Sequence, residues 1–316
     1  MGGYGMKGHV MVAFQNSFGV SNTSSLYGIP DVSAGLVKTI EPINEENNYG
    51  RYDMPPTHQG KHQFQGDIEL QANPIAVGYF LKSHIGLTST VSDTGTQTHL
   101  FKPRTSDFDG YAAGNPMTIE QHLDVGSAGI FESMIGNTLN LSIANGELLS
   151  ITAGFMGAGF TRKAAGTPTF PTPKPFKWDQ MSGQWNGAAI LDIQDLTITI
   201  NNNLEEYYTL VSCAVPTKIK RSTWRTIELT GTMIFQAHSM WQQYEAGSEL
   251  PLVLNFKSGE TPNNLLIDIP LMRLKSYEPT KPGPGLIMAP FTADAKFSVT
   301  SNTAIAITLI NTYTAY

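Results

Sequence analysis

One strand pattern occurs twice in this chain, and nothing else constrains its fold as much. "GNTLNLSIANGELLSI" (136–151) lies against "PNNLLIDIPLMRLKSY" (262–277) so that Leu139, Leu141, Ile143, Leu148 and Ser150 match Leu265, Ile267, Ile269, Leu274 and Ser276. Apolar residues at alternate positions are the signature of a half-buried strand. Its recurrence implies two passes of one plan, each an alternating strand with the same short break. Upstream, Gly66-Asp67-Ile68-Glu69-Leu70 matches Gly231-Thr232-Met233-Ile234-Phe235, and a short helix is expected after each. Asn73 is a suitable N-cap before Pro74 with Gly86 as the C-cap, and Ser239-Met240-Trp241-Gln242 has the form of a capping box closed by Gly247. Further upstream, "HVMVAF" and "LTITIN" read as the two opening strands, each followed by a polar loop and then Ile29-Pro30 or Val215-Pro216.

The two passes differ by an insertion. Pro30 to Gly66 is 36 positions and Pro216 to Gly231 is 15, so the first carries about 21 extra residues, an insertion at about 41–60. Rich in Asn, Glu, Tyr and Pro, it reads as an extended loop. Between the passes lies "GTPTFPTPKPFKW" (166–178), whose prolines at 168, 171, 173 and 175 favour a stiff, extended connector. The expected organisation is a first domain over 1–165, the connector over 166–178 and a second domain over 179–316. With only 15% charged residues and abundant Thr, Asn, Gly and Pro, the class is all-β: two tandem antiparallel sandwich or barrel domains, each with one short helix. One helix cannot cover both faces of a sheet. Polar faces such as that of "QFQGDIELQANP" (63–74) must therefore meet water or another subunit.

Several function classes are disfavoured. The formal charge is −6 with no long basic run, which argues against gripping nucleic acid through its phosphates. Cys213 reads as a small buried apolar residue. No secretory signal is evident, and the apolar run from Pro74 to Leu81 is far short of the roughly 20 residues a membrane span needs, so a soluble product with no membrane partner is expected. "GFMGAGFTRK" (154–163) has P-loop glycine spacing but lacks the phosphate-reaching Lys, and reads as a flexible loop after a strand ending at Ala153. "DFDG" (107–110) has too few oxygen ligands for a calcium loop, and His58 and His62 lie among prolines and glycine where a zinc-binding helix is disfavoured. Asp192 and Asp195 are three apart on a strand whose alternation changes phase, which points to a bulge near Gln194. No nucleophile elbow is present. Trp178, Trp185, Trp224 and Trp241 are scattered and read as core or interface anchors. The expectation is a non-enzymatic structural or binding protein with neither cofactor nor metal.

"VMVAFQNSFGVSNTSSLYGIPDVSAG", "GKHQFQGDIELQANPIAVGYFLKSHIG" and "GNTLNLSIANGELLSITAGFMG", together with "VPTKIKRSTWRTIELTGTMIF" and "NNLLIDIPLMRLKSY" of the second pass, resemble the tail tube proteins of bacteriophages with long, non-contractile tails. The resemblance implies a virion protein, made in the host cytoplasm, that assembles into stacked rings around a channel for DNA. In such rings six copies of the basic fold surround the bore, so a chain with two copies implies a trimeric ring of pseudo-sixfold symmetry. It also implies, as partners, further copies of the chain, a tape-measure protein, a tail terminator and distal tail proteins, with DNA in transit and not specifically bound. Gln65, Asp67, Glu69, Glu228, Thr230 and Thr232 are the candidate lumen residues, and Tyr49, Arg51 and Tyr52 of the insertion the candidate ring-to-ring contacts. The alternative reading is a two-domain β-sandwich adhesin for carbohydrate or a receptor; a hydrolase on a β-scaffold is a third.

Overall fold

The computed structural model describes residues 3–30, 33–47, 49–50, 52–103, 116–190, 192–210, 214–236, 238–260, 262–281 and 283–316. The first half contains β1 (His9–Phe14), β2 (Tyr27–Ile29), β3 (Ser33–Ala34), β4 (Val37–Asn44) and β5 (Thr57–Gln71), then α1 (Ala76–His84). After the helix come β6 (Leu87–Asp93), β7 (Thr96–Phe101), β8 (Met117–His122), β9 (Ala128–Ala144), β10 (Ser150–Gly157) and β11 (Gly159–Lys163). The second half contains β12 (Met181–Trp185), β13 (Ala188–Ile190), β14 (Ile193–Asn201), β15 (Leu204–Tyr207), β16 (Lys218–Arg221) and β17 (Thr226–Ile234), then α2 (Ser239–Glu245). It ends with β18 (Glu249–Lys257), β19 (Asn264–Tyr277), β20 (Met288–Ala295) and β21 (Ala306–Asn311). The fold is all-β and its strand pairs are antiparallel.

Strands β4, β5, β10, β9, β14, β17, β20 and β19 lie side by side in that order as one continuous sheet. The pairing follows the same order on both sides of its middle. In the first half β5 pairs β10 and β10 pairs β9, with α1 packed on β9; in the second β17 pairs β20 and β20 pairs β19, with α2 packed on β19. On their opposite edges β9 carries β8, then β1, then β2, while β19 carries β18, then β12, then β13. "HVMVAF" (β1) thus occupies the place taken in the second half by "MSGQW" (β12), whereas "LTITIN" lies in β14 beside β17, as β4 lies beside β5. Alternation alone aligned the wrong opening strands, because any half-buried strand carries it.

The same comparison explains the repeated glycine. A Cβ on Gly66 would sit 2.2 Å from Gly35 O, and one on Gly231 would sit 2.6 Å from Asp195 O. At both places the neighbouring strand is irregular: β3 gives way to β4 around Gly35, and the β14–β17 register shifts between Ile193 and Asp195, the bulge expected near Gln194. A bulge pushes a carbonyl toward its partner, and only a residue without a side chain admits it.

Three further local expectations are revised. The first pass breaks into a hairpin between β9 and β10 at Gly146 (φ +86°), whereas β19 runs unbroken through Pro270 to Tyr277 and absorbs the irregularity as register shifts. The glycine-rich 154–163 stretch is strand in β10, held between β5 and β9, and in β11, paired with β9. The insertion is not loop throughout: Pro42, Ile43 and Asn44 pair with Gln59, His58 and Thr57, extending β4 and β5 into a two-stranded arm.

The helix ends divide. Asn73 Oδ1 accepts the backbone N–H groups of Ile75 (2.9 Å) and Ala76 (3.4 Å), and Gly86, at φ +113°, closes α1 by donating to Leu81 O at 3.2 Å. Ser239 makes no cap hydrogen bond because α2 has already started, with Gln242 N bonding His238 O at 2.9 Å. The apolar strand faces and α1 enclose the core, to which the connector contributes Phe176. That ring is fully buried, and its backbone bonds Ala72 O and receives Leu149 N. A second cross-link joins β21 to β7 of the first half.

Candidate functional site

Six residues singled out by sequence lie on one polar face of the continuous sheet, in register across both halves. One row runs Glu69, Thr152, Asn140, Thr199, Glu228, Asp294 and Arg273, each directly opposite the next on adjacent strands. A second runs Gln71, Ser150, Ser142, Thr197, Thr230, Thr292 and Ser276, and a third runs Asp67, Gly154, Thr138, Asn201 and Thr226. Gln65 lies beside Met156, and Thr232 lies between Asp195 and Pro290. Facing away from these rows, Phe64, Ile68, Leu70, Leu139, Leu141, Leu196, Ile198, Ile227 and Leu229 are buried. The period-two alternation is therefore a wall with a core side and an open side.

Short hydroxyl and amide side chains dominate the open side. Ser142 Oγ and Thr197 Oγ1 bond across the central seam at 2.9 Å, and Ser276 Oγ and Thr292 Oγ1 bond at 2.7 Å. Charge is uneven. Asp67 and Glu69 have no ion-pair partner among the described residues, whereas Lys275 reaches Glu228 at 3.0 Å and Asp294 at 3.3 Å, and Lys296 reaches Asp294 at 3.0 Å. Hydrogen bonds to Glu228 and Asp294 raise the Lys275 pKa above the ordinary lysine range. The β5 end of the wall is thus open and acidic, and the β19 end is neutralised by its own cations.

Continuity depends on the middle seam, where β14 pairs β9 from Asp195↔Ala144 to Asn201↔Thr138. Beyond it, Asn202, fully buried, donates through Nδ2 to His84 O at 2.8 Å and Gly136 O at 2.9 Å, and its Oδ1 accepts from Arg225 Nε at 2.8 Å. Its backbone N–H bonds Asn137 O at 2.8 Å. Burial, with a smaller contribution from Arg221, pulls the Arg225 pKa down to about 10. A polar Asn after "TITIN" gives no sequence signal for this role, since the carbonyls that its side chain bonds, of His84 and Gly136, are remote in the chain.

The arm protrudes from one edge. β4 is exposed along its full length, and at the tip His58 Nε2 lies 2.6 Å from Glu45 Oε1, with Tyr49 also bonded to Glu45. These contacts lower the Glu45 pKa, the Tyr49 hydrogen bond most. Tyr49 is half exposed and Tyr52 entirely so; Arg51 lies outside the described residues, as do Cys213 and the "DFDG" stretch. At the arm's base His62 N bonds Ala214 O at 2.6 Å and Tyr208 donates to His62 O at 2.9 Å, tying the arm to the β15–β16 ribbon. Of the tryptophans, Trp185 is core, Trp178 and Trp241 are partly exposed, and Trp224 is 90% exposed.

Among the described residues no cluster of His, Cys, Asp or Glu is arranged to hold a metal ion, and no helix is long and apolar enough to cross a membrane. A family model described as phage tail tube protein matches residues 5–295. The chain belongs to the phage tail tube protein family. No curated protein matches it. As a tail tube protein it is a structural component of the virion's tail, which accords with a site that is a surface and not a pocket.

Proposed function

We propose that this tail tube protein carries two copies of the tube domain, over 1–165 and 179–316 joined by the 166–178 connector, and that three copies close into a ring of pseudo-sixfold symmetry. The carrying observation is the register of the polar face, which passes from the first half to the second without a break. Gln65, Asp67, Glu69, Glu228, Thr230 and Thr232 then line the bore, and stacked rings form the tube through which DNA is ejected. Three copies of the eight-stranded sheet make a barrel of 24 strands. At about 4.8 Å between strands and a tilt of about 40°, its backbone diameter is roughly 45–50 Å. Inward side chains reduce this to a bore of roughly 35–40 Å, ample for a hydrated duplex. The wall is mostly hydroxyls and amides, its β5 end carries unpaired acids, and Lys275 and Lys296 at its β19 end are held by Glu228 and Asp294, so phosphates find little cationic grip and DNA slides.

The exposed arm, with Tyr49, Arg51 and Tyr52, serves contact between rings in this reading. A tape-measure protein fills the bore before DNA, and terminator and distal tail proteins close its ends. Synthesis in the host cytoplasm precedes assembly. Electron microscopy of the purified protein tests the reading: hollow cylinders of uniform diameter with threefold or sixfold end views are expected, and compact monomers at high concentration, with an assembly initiator supplied, refute it. Asp67→Lys with Glu69→Lys then tests the lumen. Tubes should form while DNA release slows in a salt-dependent manner, and unchanged ejection refutes the assignment of these residues to the bore.

A further inference from the structure

A cleft that the first half fills with tyrosine stands open in the second. In the first half the row Phe131, Ile119, Val12 and Tyr27 crosses β9, β8, β1 and β2, each residue opposite the next. In the second, Ile269, Leu252, Trp185 and Ala188 cross β19, β18, β12 and β13 in the same way. A register shift adjoins both rows, between Met117 and Ile119 and between Leu250 and Leu252, so the rows correspond. Tyr27 and Ala188 therefore hold the same place, at the outer end of a row that faces the core.

What fills that place differs. The Tyr27 ring stacks on Tyr79 of α1 at 5.1 Å, and Tyr313, just past β21, wedges beside them, 5.7 Å from Tyr27 with its hydroxyl 2.6 Å from that of Tyr79. In the second half a methyl group stands where Tyr27 would, and between β13 and α2 lies a cleft of about 240 Å³ lined by Trp185, Ala188, Ile190, Met240, Gln243 and Tyr277. Two polar atoms of that lining are buried without a hydrogen-bond partner among the described residues: Trp185 Nε1, a donor, and Gln243 Oε1, an acceptor. Such groups are normally paired when buried, and Trp185 is only 7% exposed. The repeat supplies no second tyrosine, since β11 holds on β9 the place that β21 holds on β19, and Ala164, Ala165 and Gly166 follow it.

We infer that the cleft between β13 and α2 is a docking site for a tyrosine on a peptide segment of a partner protein, seated as Tyr313 is seated against α1. A phenol meets the chemistry of the lining. Its ring covers the apolar side chains, its O–H donates to Gln243 Oε1 and its oxygen accepts from Trp185 Nε1, whereas a phenylalanine leaves both unpaired. The inference stands apart from the ring reading, because every residue of the cleft belongs to one chain.

Calorimetric titration of the full-length protein, as dispersed subunits, with the peptide NTYTAY (311–316) tests it. That segment carries the tyrosine that the first half seats. Saturable binding at about 0.1–1 mM is expected, about three- to tenfold weaker when both tyrosines of the peptide are replaced by phenylalanine. Ala188→Tyr, which restores the first half's own filling, should weaken binding by about tenfold without lowering the melting midpoint. Gln243→Leu should narrow the gap between the two peptides, and it serves also where Ala188→Tyr misfolds. Absence of saturable binding, binding unchanged in Ala188→Tyr, equal binding of both peptides by the parent, or a gap unchanged in Gln243→Leu overturns the site. Binding of p-cresol as tight as that of the peptide overturns the assignment to a peptide-borne tyrosine. Binding by subunits that vanishes in assembled tubes overturns an outside partner, because another copy then covers the cleft.

Discussion

Replacing Asn202 by alanine removes the side chain that fastens the two halves beyond the β9–β14 seam. The variant loses two donated bonds, to His84 O and Gly136 O, and the acceptor for Arg225 Nε. Each backbone carbonyl deprived of a donor at a site with no exposure costs about 1–2 kcal/mol, and the charge-assisted bond to Arg225 contributes about 1.5–3 kcal/mol. The Nη2 of Arg225 is buried without a hydrogen-bond partner among the described residues, so the guanidinium has little to fall back on. The sum is roughly 3.5–7 kcal/mol, comparable to much of the 5–15 kcal/mol that holds an ordinary domain folded. Urea titration followed by circular dichroism should show the Asn202→Ala midpoint falling steeply. Asn202→Asp keeps the acceptor for Arg225 but sets a carboxylate oxygen against the carbonyls of His84 and Gly136, so it should not restore the parent's stability. A double-mutant cycle with Arg225→Ala should return a coupling above about 1 kcal/mol. A loss below about 1 kcal/mol for Asn202→Ala refutes the view that this residue fastens the seam.

Two further substitutions test packing and titration. Gly78→Ala places a Cβ about 2.1 Å from the Tyr316 ring, which is seated on α1 with its hydroxyl donating to Ile75 O at 2.9 Å, so thermal stability should fall by about 1–3 kcal/mol and partly recover when Tyr316→Ala is added. His84 is fully buried and desolvation pushes its pKa down to about 4 from 6.5, opposed by carbonyls of Phe80 and Gly154 near its two ring nitrogens. Because the unfolded chain takes up this proton first, stability is fully retained above pH 6.5 and falls as pH drops toward about 4, by up to roughly 3 kcal/mol. Denaturation midpoints measured between pH 7 and 4 should fall less steeply in His84→Asn than in the parent, and parallel curves refute the assignment.

Local features were legible where local physics sets them. Asn73-Pro74 fixed the start of α1 because a cap needs only its own neighbours, and the parity change around Gln194 revealed a bulge because alternation is counted along one strand. The capping box at Ser239 misled because the same four letters fit inside a turn already begun at His238. The glycines of 154–163 suggested a loop, yet a strand held on both edges tolerates them, with Gly154 fitting beside Thr138 and Gly157 beside Met134. The arm escaped detection because Pro42 and Gly60 argue against strand, while an exposed two-stranded extension needs only one partner edge.

Alternation counted along each segment shows that the chain is all-β, which residues of each strand share a face, and that Gln65, Asp67, Glu69, Glu228, Thr230 and Thr232 belong to polar faces. Those properties follow from a two-residue period, which each segment carries alone. That those faces are one and the same emerges only when the strands pair. Strand neighbours are chosen by edge complementarity and by core contacts between residues remote in the chain, so the β9–β14 seam, the Asn202 fastening and the open edges of β4 and β19 exist only once the sheet is formed.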